Sequence, residues 1–339
     1  MAETYKAVEV AAPGSLRIVE RPIPQPGEGQ VLIQVEACGI CHTDSVTVEG
    51  QFPGLSFPRV PGHEVAGRIE AIGSRVSQWR VGQRVGVGFF GGYDGHCELC
   101  RRGDFINCQN LTISGISADG GWAEMMLAEA NAVVSLSDSL KAVEAAPLLC
   151  AGVTTYNALR NAALRSGDLV AVQGIGGLGH LGIQFARRMG FRTVAIARGP
   201  EKGKLATELG AISYIDAQTE DPAAALQRMG GARVILATAA STRSMGPLIA
   251  GLAPRGRLIV VGASPEPIQV DPLQLIFGAR SLEGSLTGTA IDIEDTLAFS
   301  VLQNVRPMIE TVPLERAAEA YARMMRGYAR FRIVLTTGQ

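Results

Sequence analysis

A glycine-rich segment that follows an apolar strand pattern constrains the fold of this chain more than any other feature. After the letters LVAVQ, the spacing G-x-G-x-x-G is formed by Gly174, Gly176 and Gly179. At such a strand-to-helix turn the first glycine makes the tight turn, the second lets the backbone approach a pyrophosphate, and the third lets the helix pack on the strand. The helix start offers free N–H groups and a positive dipole end to phosphate. The alternative is a glycine-rich packing turn without a ligand. We predict a dinucleotide-binding loop made of Gly174, Gly176, Gly177, Leu178 and Gly179.

The segments around this loop alternate between strands and helices. TVAIAR, SYIDA, RVILATA and RLIVVGA are short apolar strand patterns, with helical stretches between most of them. Apolar residues at three- and four-residue spacing after the loop predict a helix that ends at Gly190. Short apolar strands that alternate with helices are typical of a parallel, doubly wound α/β sheet.

The first half of the chain has a different pattern. VLIQVEACGI, VAGRIEAIG and RVGVGFF are strand-like runs separated by glycine- and proline-rich turns, which predicts a β-barrel-like region with long loops. The alternation of strands and helices stops near Ser285, and a helix in PLERAAEAYARMMRG and a strand in RFRIVLTT close the chain. A chain of 339 residues with 47% hydrophobic residues suits two such domains.

Charge and hydropathy exclude several classes of partner. The formal net charge is −1, so no basic excess points to nucleic acid. The apolar stretches are broken by glycine and charge before they reach the length of a membrane span, and the N-terminal residues lack a signal-peptide pattern. We expect a cytoplasmic protein that binds neither nucleic acid nor membrane.

The six cysteines are clustered, which in a chain without a secretion signal indicates metal binding rather than disulfides. Cys41 in CGICHTD, His63 in GHE and Cys150 supply two thiolates and one imidazole. Such a set leaves a fourth zinc position open for water or substrate, as catalytic zinc requires. Asp44 is a candidate partner that fixes the tautomer of His63. Glu64 is a candidate alternate ligand or a neighbour of the metal. Taken singly, each cysteine or histidine is more often an inert buried residue.

At this point the chain resembles the zinc-containing alcohol dehydrogenases of the medium-chain dehydrogenase/reductase superfamily. The similar motifs span essentially the whole length and include CHTD, PGHEVAG, GQRVGVG, DGGWAEMM, CAGVTTY, GIGGLGHLGIQFA and RFRIVL. The resemblance implies a GroES-like catalytic domain at 1–150 and 286–339, with a Rossmann domain inserted at 151–285. It also implies catalytic zinc on Cys41, His63 and Cys150, a small-molecule alcohol, aldehyde or ketone as substrate, and a homodimer or homotetramer.

The family carries a second, structural zinc lobe with four cysteines. In DGHCELCRRGDFINC, three cysteines have the family's spacing, but Asp94 stands where the first cysteine is expected. A carboxylate can ligate zinc, although thiolate suits the ion better. His96 is a rival fourth ligand, and a partly metal-free lobe is a third possibility. We predict a second zinc held by Asp94, Cys97, Cys100 and Cys108.

The end of the second strand of the dinucleotide fold bears on the choice between NAD and NADP. A carboxylate there binds the adenosine ribose hydroxyls of NAD, but this strand ends with Ala197, followed by Arg198. A guanidinium in place of an acid favours a 2′-phosphate, and Lys202 adds charge. We therefore expect NADP(H) to be preferred. The alternative is that Arg198 is a solvated surface residue and that the enzyme takes either cofactor.

Other site residues are placed by the resemblance. The hydroxyl of Thr43 is expected to accept the alcohol proton, while Val46 stands where the family has the next proton carrier, a histidine. The further cofactor contacts are expected at His42, Thr154, Thr238, Val261, Leu286 and Arg332.

Apolar side chains are expected to line the substrate pocket, namely Phe52, Phe90, Trp122 and Leu286. Phe52 replaces a tryptophan of ethanol-specialised relatives, which predicts a wider site for medium-sized alcohols, aldehydes or ketones. Some of these aromatics alternatively belong to the core.

Three other functions are compatible with parts of the pattern. A zinc-free quinone or enoyl reductase has no need for Cys41, His63 and Cys150. A polyol dehydrogenase usually has an acid at the position of Cys150. A structural or redox-sensing zinc protein has no need for Thr43 or the glycine loop.

Overall fold

The computed structural model describes residues 3–262, 264 and 266–338. The chain forms two compact units. The first unit comprises Met1–Val153 and Thr287–Gln339, and the second unit comprises Thr154–Leu286. The expected division after residues 150 and 285 lies close to these bounds.

The first unit is built mainly of strands. A seven-stranded sheet has the order β16-β17-β3-β4-β5-β9, with β8 paired to β3, while β1 pairs with β2 and β6 with β7. This is the predicted GroES-like barrel region. Its strands are β1 Thr4–Ala12, β2 Ser15–Pro22, β3 Gln30–Ile40, β4 Val65–Ile72, β5 Arg84–Val87, β6 Phe90–Gly92, β7 Thr112–Ile113, β8 Met125–Glu129, β9 Val133–Ser135, β16 Ile309–Pro313 and β17 Arg332–Thr336.

The helices of the first unit are mostly short. Between α3 and α4 the chain forms a π-helical segment, Leu148–Gly152, and short 3-10 turns lie at Phe105–Asn107 and Leu314–Arg316. The helix α4 crosses the boundary into the second unit. These helices are α1 Asp44–Val48, α2 Glu98–Arg101, α3 Ala142–Pro147, α4 Val153–Arg160, α10 Ala290–Gln303 and α11 Ala317–Met325.

The second unit is a six-stranded parallel sheet with the order β12-β11-β10-β13-β14-β15. Since β10 lies between β11 and β13, the order reverses beside it, which is the point where open α/β sheets bind ligands. The predicted doubly wound sheet is confirmed. Its strands are β10 Leu169–Gln173, β11 Arg192–Ala197, β12 Ser213–Asp216, β13 Ala232–Ala237, β14 Leu252–Val260 and β15 Ser281–Gly284.

The connections of the second unit supply the helices that cover this sheet. A 3-10 segment, Gly246–Gly251, precedes β14. The helices are α5 Gly179–Arg188, α6 Lys202–Glu208, α7 Pro222–Arg228, α8 Thr242–Met245 and α9 Pro272–Ile276.

Burial along the strands follows the sequence pattern. Every residue of β10 is buried because helices cover both faces of a parallel sheet. In β3, the polar residues Gln34 and Glu36 are only partly buried between fully buried neighbours, as expected for a sheet with one wetter face. The short strand β15, with half-exposed positions, was not predicted. Ala263, the last residue of the RLIVVGA pattern, lies outside the described residues. No helix of the described chain is long and apolar enough to cross a membrane.

Candidate active site

Sheet topology brings the first metal-ligand residues together. The strands β3 and β4 are antiparallel, with Cys38 opposite Val65, so the end of β3 lies beside the start of β4. Cys41 directly follows β3, and His63 lies two residues before the start of β4. Cys150 lies in the π-helical segment, an irregularity that often marks a functional site.

Four potential ligands converge at this point. One atom from each of Cys41, His63, Glu64 and Cys150 lies within 4.8 Å of the others. The side chains of Cys41, His63 and Glu64 are buried, and Cys150 is nearly so. The sequence prediction that these residues share one site agrees with this geometry.

Asp44 orients the imidazole of His63. Its Oδ1 lies 3.1 Å from His63 Nδ1, and the same carboxylate accepts hydrogen bonds from the backbone N–H groups of Cys41 and Gly62 at 2.7 and 3.2 Å. The other ring nitrogen, Nε2, is buried and has no hydrogen-bond partner among the described residues. This arrangement assigns the proton to Nδ1 and leaves the Nε2 lone pair for a metal ion, so the residues fit zinc.

The two cysteines have opposite electrostatic environments. A hydrogen bond from the Cys150 thiol, aided by His63, lowers the pKa of Cys41 well below its usual range despite burial. Hydrogen bonding to Cys41, together with burial, raises the pKa of Cys150 well above its usual range. Cys41 is therefore the first of the pair to become a thiolate, which is the form that binds metal.

Glu64 is paired with Arg332 on β17. Arg332 Nη2 donates to Glu64 Oε1, while Glu64 Oε2 has no hydrogen-bond partner among the described residues. Burial raises the pKa of Glu64 to about 7, although Arg332 opposes this rise. The expected cofactor contact of Arg332 therefore competes with a buried carboxylate partner within the first unit.

Gly39 is a site residue that the sequence analysis missed. A Cβ atom at Gly39 would overlap the carboxylate of Glu64, so only glycine leaves room for that side chain. The available signal was the glycine in CGIC, one residue after Cys38 on β3.

Thr43 lies next to the thiolate ligand. Its Oγ1 is 3.7 Å from Cys41 Sγ, and the residue directly precedes α1. His42, between them, is exposed. The hydroxyl of Thr43 thus lies beside the candidate ligand Cys41, and its role with the alcohol proton stays a prediction.

Phe89 contacts His63, whereas its neighbour Phe90, a predicted residue of the substrate pocket, does not. The Phe89 and His63 rings meet edge to face with centroids 5.6 Å apart. Phe90 is fully buried and packs on Tyr93, because successive side chains of an extended segment point to opposite sides. Trp122 is likewise fully buried in the core of the first unit. Phe90 and Trp122 are corrected to core residues.

The side chains of the other two expected pocket residues are exposed to solvent. Phe52 in the first unit is 38% exposed and Leu286 in the second unit is 52% exposed. Single exposed apolar side chains are common on protein surfaces, and the pocket role of these two residues stays a prediction.

A second group of ligands lies in the loop that carries α2. Asp94 Oδ1 accepts the backbone N–H groups of His96 and Cys97 at 2.8 and 2.9 Å, and Asn110 donates to Oδ2 at 2.6 Å. These hydrogen bonds hold the pKa of Asp94 well below its usual range, so the carboxylate is ionised. The His96 side chain is 80% exposed and is not part of the group. The ligand atoms that lie within 4.8 Å of one another belong to Asp94, Cys97, Cys100 and Cys108.

The glycine loop has the geometry that its spacing predicts. Gly174 has a φ of +96°, which favours glycine. A Cβ atom at Gly179, the first residue of α5, would overlap the carbonyl oxygen of Gly174, whereas the space beside Gly176 is open to 4 Å. Thr238, the residue after β13, donates its Oγ1 hydroxyl to the carbonyl of Gln173, the last residue of β10, at 2.8 Å. The open side at Gly176 is where a pyrophosphate fits.

Most of the remaining expected cofactor residues of the second unit lie at or just after the carboxyl ends of its strands, whereas Thr154 lies in a helix. Ala197 ends β11, Arg198 is exposed, and Lys202 begins α6. Val261 follows β14 and donates its N–H to the Ala237 carbonyl at 3.0 Å. Thr154 lies in α4 and is buried.

Comparison with known proteins shows the same two-part organisation. The family "Alcohol dehydrogenase GroES-like domain" matches residues 27–138, and the family "Zinc-binding dehydrogenase" matches residues 177–301. Alcohol dehydrogenase notN of Aspergillus sp. (strain MF297-2) is 41% identical over 337 residues, with 98% of each chain covered. An alcohol dehydrogenase of Geobacillus stearothermophilus is 38% identical over 323 residues, with 95% of each covered. The solved structure of a cinnamyl alcohol dehydrogenase from Sorghum bicolor superposes with a TM-score of 0.89 at 30% identity, covering 98% of both chains. Because this similarity extends over nearly the whole chain, the protein belongs to the zinc-dependent alcohol dehydrogenase family of the medium-chain dehydrogenase/reductase superfamily.

Proposed function

We propose that this alcohol dehydrogenase acts on medium-sized alcohols, aldehydes or ketones through a zinc ion held by Cys41, His63 and Cys150. This assignment rests on the buried Nε2 of His63, which has no hydrogen-bond partner among the described residues. It lies beside two cysteines whose thiol pKa values are shifted in opposite directions. Phe89 next to the imidazole and the exposed Phe52 favour an apolar substrate.

The residues of the site have separate roles in the reaction. Zinc, when bound, supplies Lewis acidity that favours the alkoxide form of the alcohol and polarises the carbonyl in the reverse direction. Thr43 Oγ1, beside the Cys41 ligand, accepts the proton of the substrate hydroxyl. Asp44 holds the tautomer of His63. Glu64 and Arg332 form a buried ion pair beside the candidate metal ligands. Since Val46 stands where the family has a histidine carrier, the proton would pass from Thr43 to water, to His42 or to a ribose hydroxyl of the cofactor when it is bound.

The second unit binds the nicotinamide cofactor, with NADP(H) preferred over NAD(H). The cofactor supplies or accepts the hydride, and the glycine loop holds its pyrophosphate. The exposed Arg198 after Ala197 supports a contact with the 2′-phosphate. We also propose that a second zinc is bound by Asp94, Cys97, Cys100 and Cys108, supported by their mutual distances.

A spectrophotometric assay at the nicotinamide absorbance, with a panel of alcohols and ketones and both cofactors, tests this function. Cys41→Ser and His63→Ala are expected to abolish turnover in metal-analysed protein that remains folded. Cys38→Ala is the matched control, because Cys38 is a buried cysteine outside the ligand group. Full activity in either ligand variant contradicts the assignment.

A further inference from the structure

The turn after β11 is held from the neighbouring strand β12 by two hydrogen bonds. The backbone N–H of Gly199 donates to Asp216 Oδ1 at 2.9 Å, and the hydroxyl of Tyr214 donates to the carbonyl oxygen of Gly199 at 2.6 Å. The two strands are parallel, with Ala197 opposite Asp216. Both polar backbone groups of Gly199 are therefore fixed by residues of a single strand.

Within the described chain, the side chain of Arg198, unlike the backbone of this turn, is not held by hydrogen bonds. Gly199 is buried and has a φ of +95°, whereas the preceding Arg198 is exposed. Among the described residues, no hydrogen bond or ion pair occupies the guanidinium of Arg198. A rigid backbone with a free cation on it is suited to ligand recognition, because the geometry is set before the ligand arrives.

We propose that Tyr214 is a positioning residue for cofactor selection, which acts by holding the turn at Gly199 so that Arg198 faces the 2′ position of the adenosine ribose. This inference rests on the proposed cofactor site. Tyr214 acts through Gly199 and need not touch the cofactor. Its ring also packs beside α6, since a Cβ atom at Gly203 would lie 3.2 Å from Tyr214 Cδ1.

The hydroxyl is available as a donor at neutral pH. Burial, together with Asp216 and Glu201, raises the pKa of Tyr214 above its usual value, so the phenol stays protonated. The Tyr214→Phe change removes the hydrogen bond and leaves the ring packing in place.

Isothermal titration of the zinc-loaded enzyme with adenosine 2′,5′-bisphosphate and with 5′-AMP tests the inference. These two probes differ only by the 2′-phosphate, so the ratio of their Kd values reports recognition at that position without any turnover. Loss of one neutral hydrogen bond predicts that Tyr214→Phe shifts this ratio by about two- to tenfold, through weaker binding of the bisphosphate. Tyr328→Phe is the matched control, because Tyr328 is 64% exposed and its ratio is expected to stay unchanged.

The positioning role is contradicted if Tyr214→Phe leaves the ratio of the two Kd values unchanged. This happens either when neither affinity changes or when both affinities fall equally. The second result indicates only a general loosening of the second unit. The NADP preference itself is tested separately, by the ratio in the unmodified enzyme and in Arg198→Ala. An unmodified enzyme that favours 5′-AMP contradicts the proposed preference and, with it, the role of Tyr214. An unmodified enzyme that favours the bisphosphate, with a ratio that Tyr214→Phe leaves unchanged, contradicts the positioning role alone.

Discussion

Oδ1 of Asp44 lies 3.1 Å from Nδ1 of His63, and both side chains are almost completely buried. The carboxylate is held in turn by the backbone N–H of Cys41, so one acid orients two elements of the metal site. Ligating histidines commonly donate their second N–H to such an acid, which sets the ring orientation and strengthens the ligand. The pair links the loop after β3 to the segment before β4.

Asp44→Asn is expected to lower zinc affinity about 10- to 100-fold and to reduce kcat/KM, because the amide keeps the shape but loses the charge that supports His63. Competition with a chromophoric chelator measures the zinc affinity. Asp138→Asn serves as the control, because the Asp138 side chain is 97% exposed. Equal zinc affinity in the two variants would show that Asp44 does not support the metal site.

The last two glycines of the loop motif predict different phenotypes for Gly179→Ala and Gly176→Ala. A methyl group at Gly179 overlaps the Gly174 carbonyl, so we expect a stability loss of about 1–3 kcal/mol. A methyl group at Gly176 meets no protein atom within 4 Å, so stability is retained while the approach of the pyrophosphate is blocked. Thermal unfolding and cofactor titration separate the effects, and a Gly176→Ala variant with normal cofactor affinity contradicts the proposed loop.

The double change Ala197→Asp with Arg198→Gly is expected to reverse the preference for NADP. One charged hydrogen bond to the 2′-phosphate contributes about 1.5–3 kcal/mol, which corresponds to about ten- to a hundredfold in affinity. Arg198→Lys is the graded control, since it keeps the charge and loses the planar fork. The kcat/KM ratio for the two cofactors measures the effect. An unmodified enzyme that favours NAD contradicts the role proposed for Arg198.

Elemental analysis is expected to give two zinc ions per chain. Asp94→Cys should strengthen retention of the second ion against a chelator, because thiolate suits zinc better than carboxylate. His96→Ala is the matched control and should leave retention unchanged, since His96 lies outside the ligand group. One zinc per fully active chain argues against the second site. A loss of zinc in His96→Ala shows that retention depends on this histidine, whose Nδ1 lies 3.0 Å from Asp94 Oδ1.

Glu9→Gln is expected to destabilise the first unit at neutral pH by about 2 kcal/mol, because the 4% exposed Glu9 pairs with Arg17 and Arg21. Although burial opposes them, hydrogen bonds from Arg21 and Arg17 keep the pKa of Glu9 below its usual value of 4.5. The stabilisation is therefore present above that pH and is lost as the pH falls through the lower, folded-state pKa. Unfolding curves of both proteins across acidic pH should converge, and a difference that persists at low pH contradicts this origin.

Local sequence patterns were sufficient for the framework of this protein. The glycine spacing predicted the turn at Gly174, and the alternation of short apolar strands with helices predicted the parallel sheet. Both patterns depend on residues close together in the chain, where backbone geometry and burial periodicity act directly. The identities of Cys41, His63 and Cys150 predicted a zinc ligand set for the same reason, since the chemistry of each potential ligand is a property of its side chain.

Only the tertiary structure decided which distant groups meet. Arg332 and Glu64, 268 residues apart, form a buried ion pair because β17 and β4 both flank β3, and Gly39 on β3 makes the space for the carboxylate. The same applies to Phe89, which faces His63 while its neighbour Phe90 enters the core. Strand order and side-chain direction set these contacts, and a one-residue change in register reverses the face that a side chain occupies.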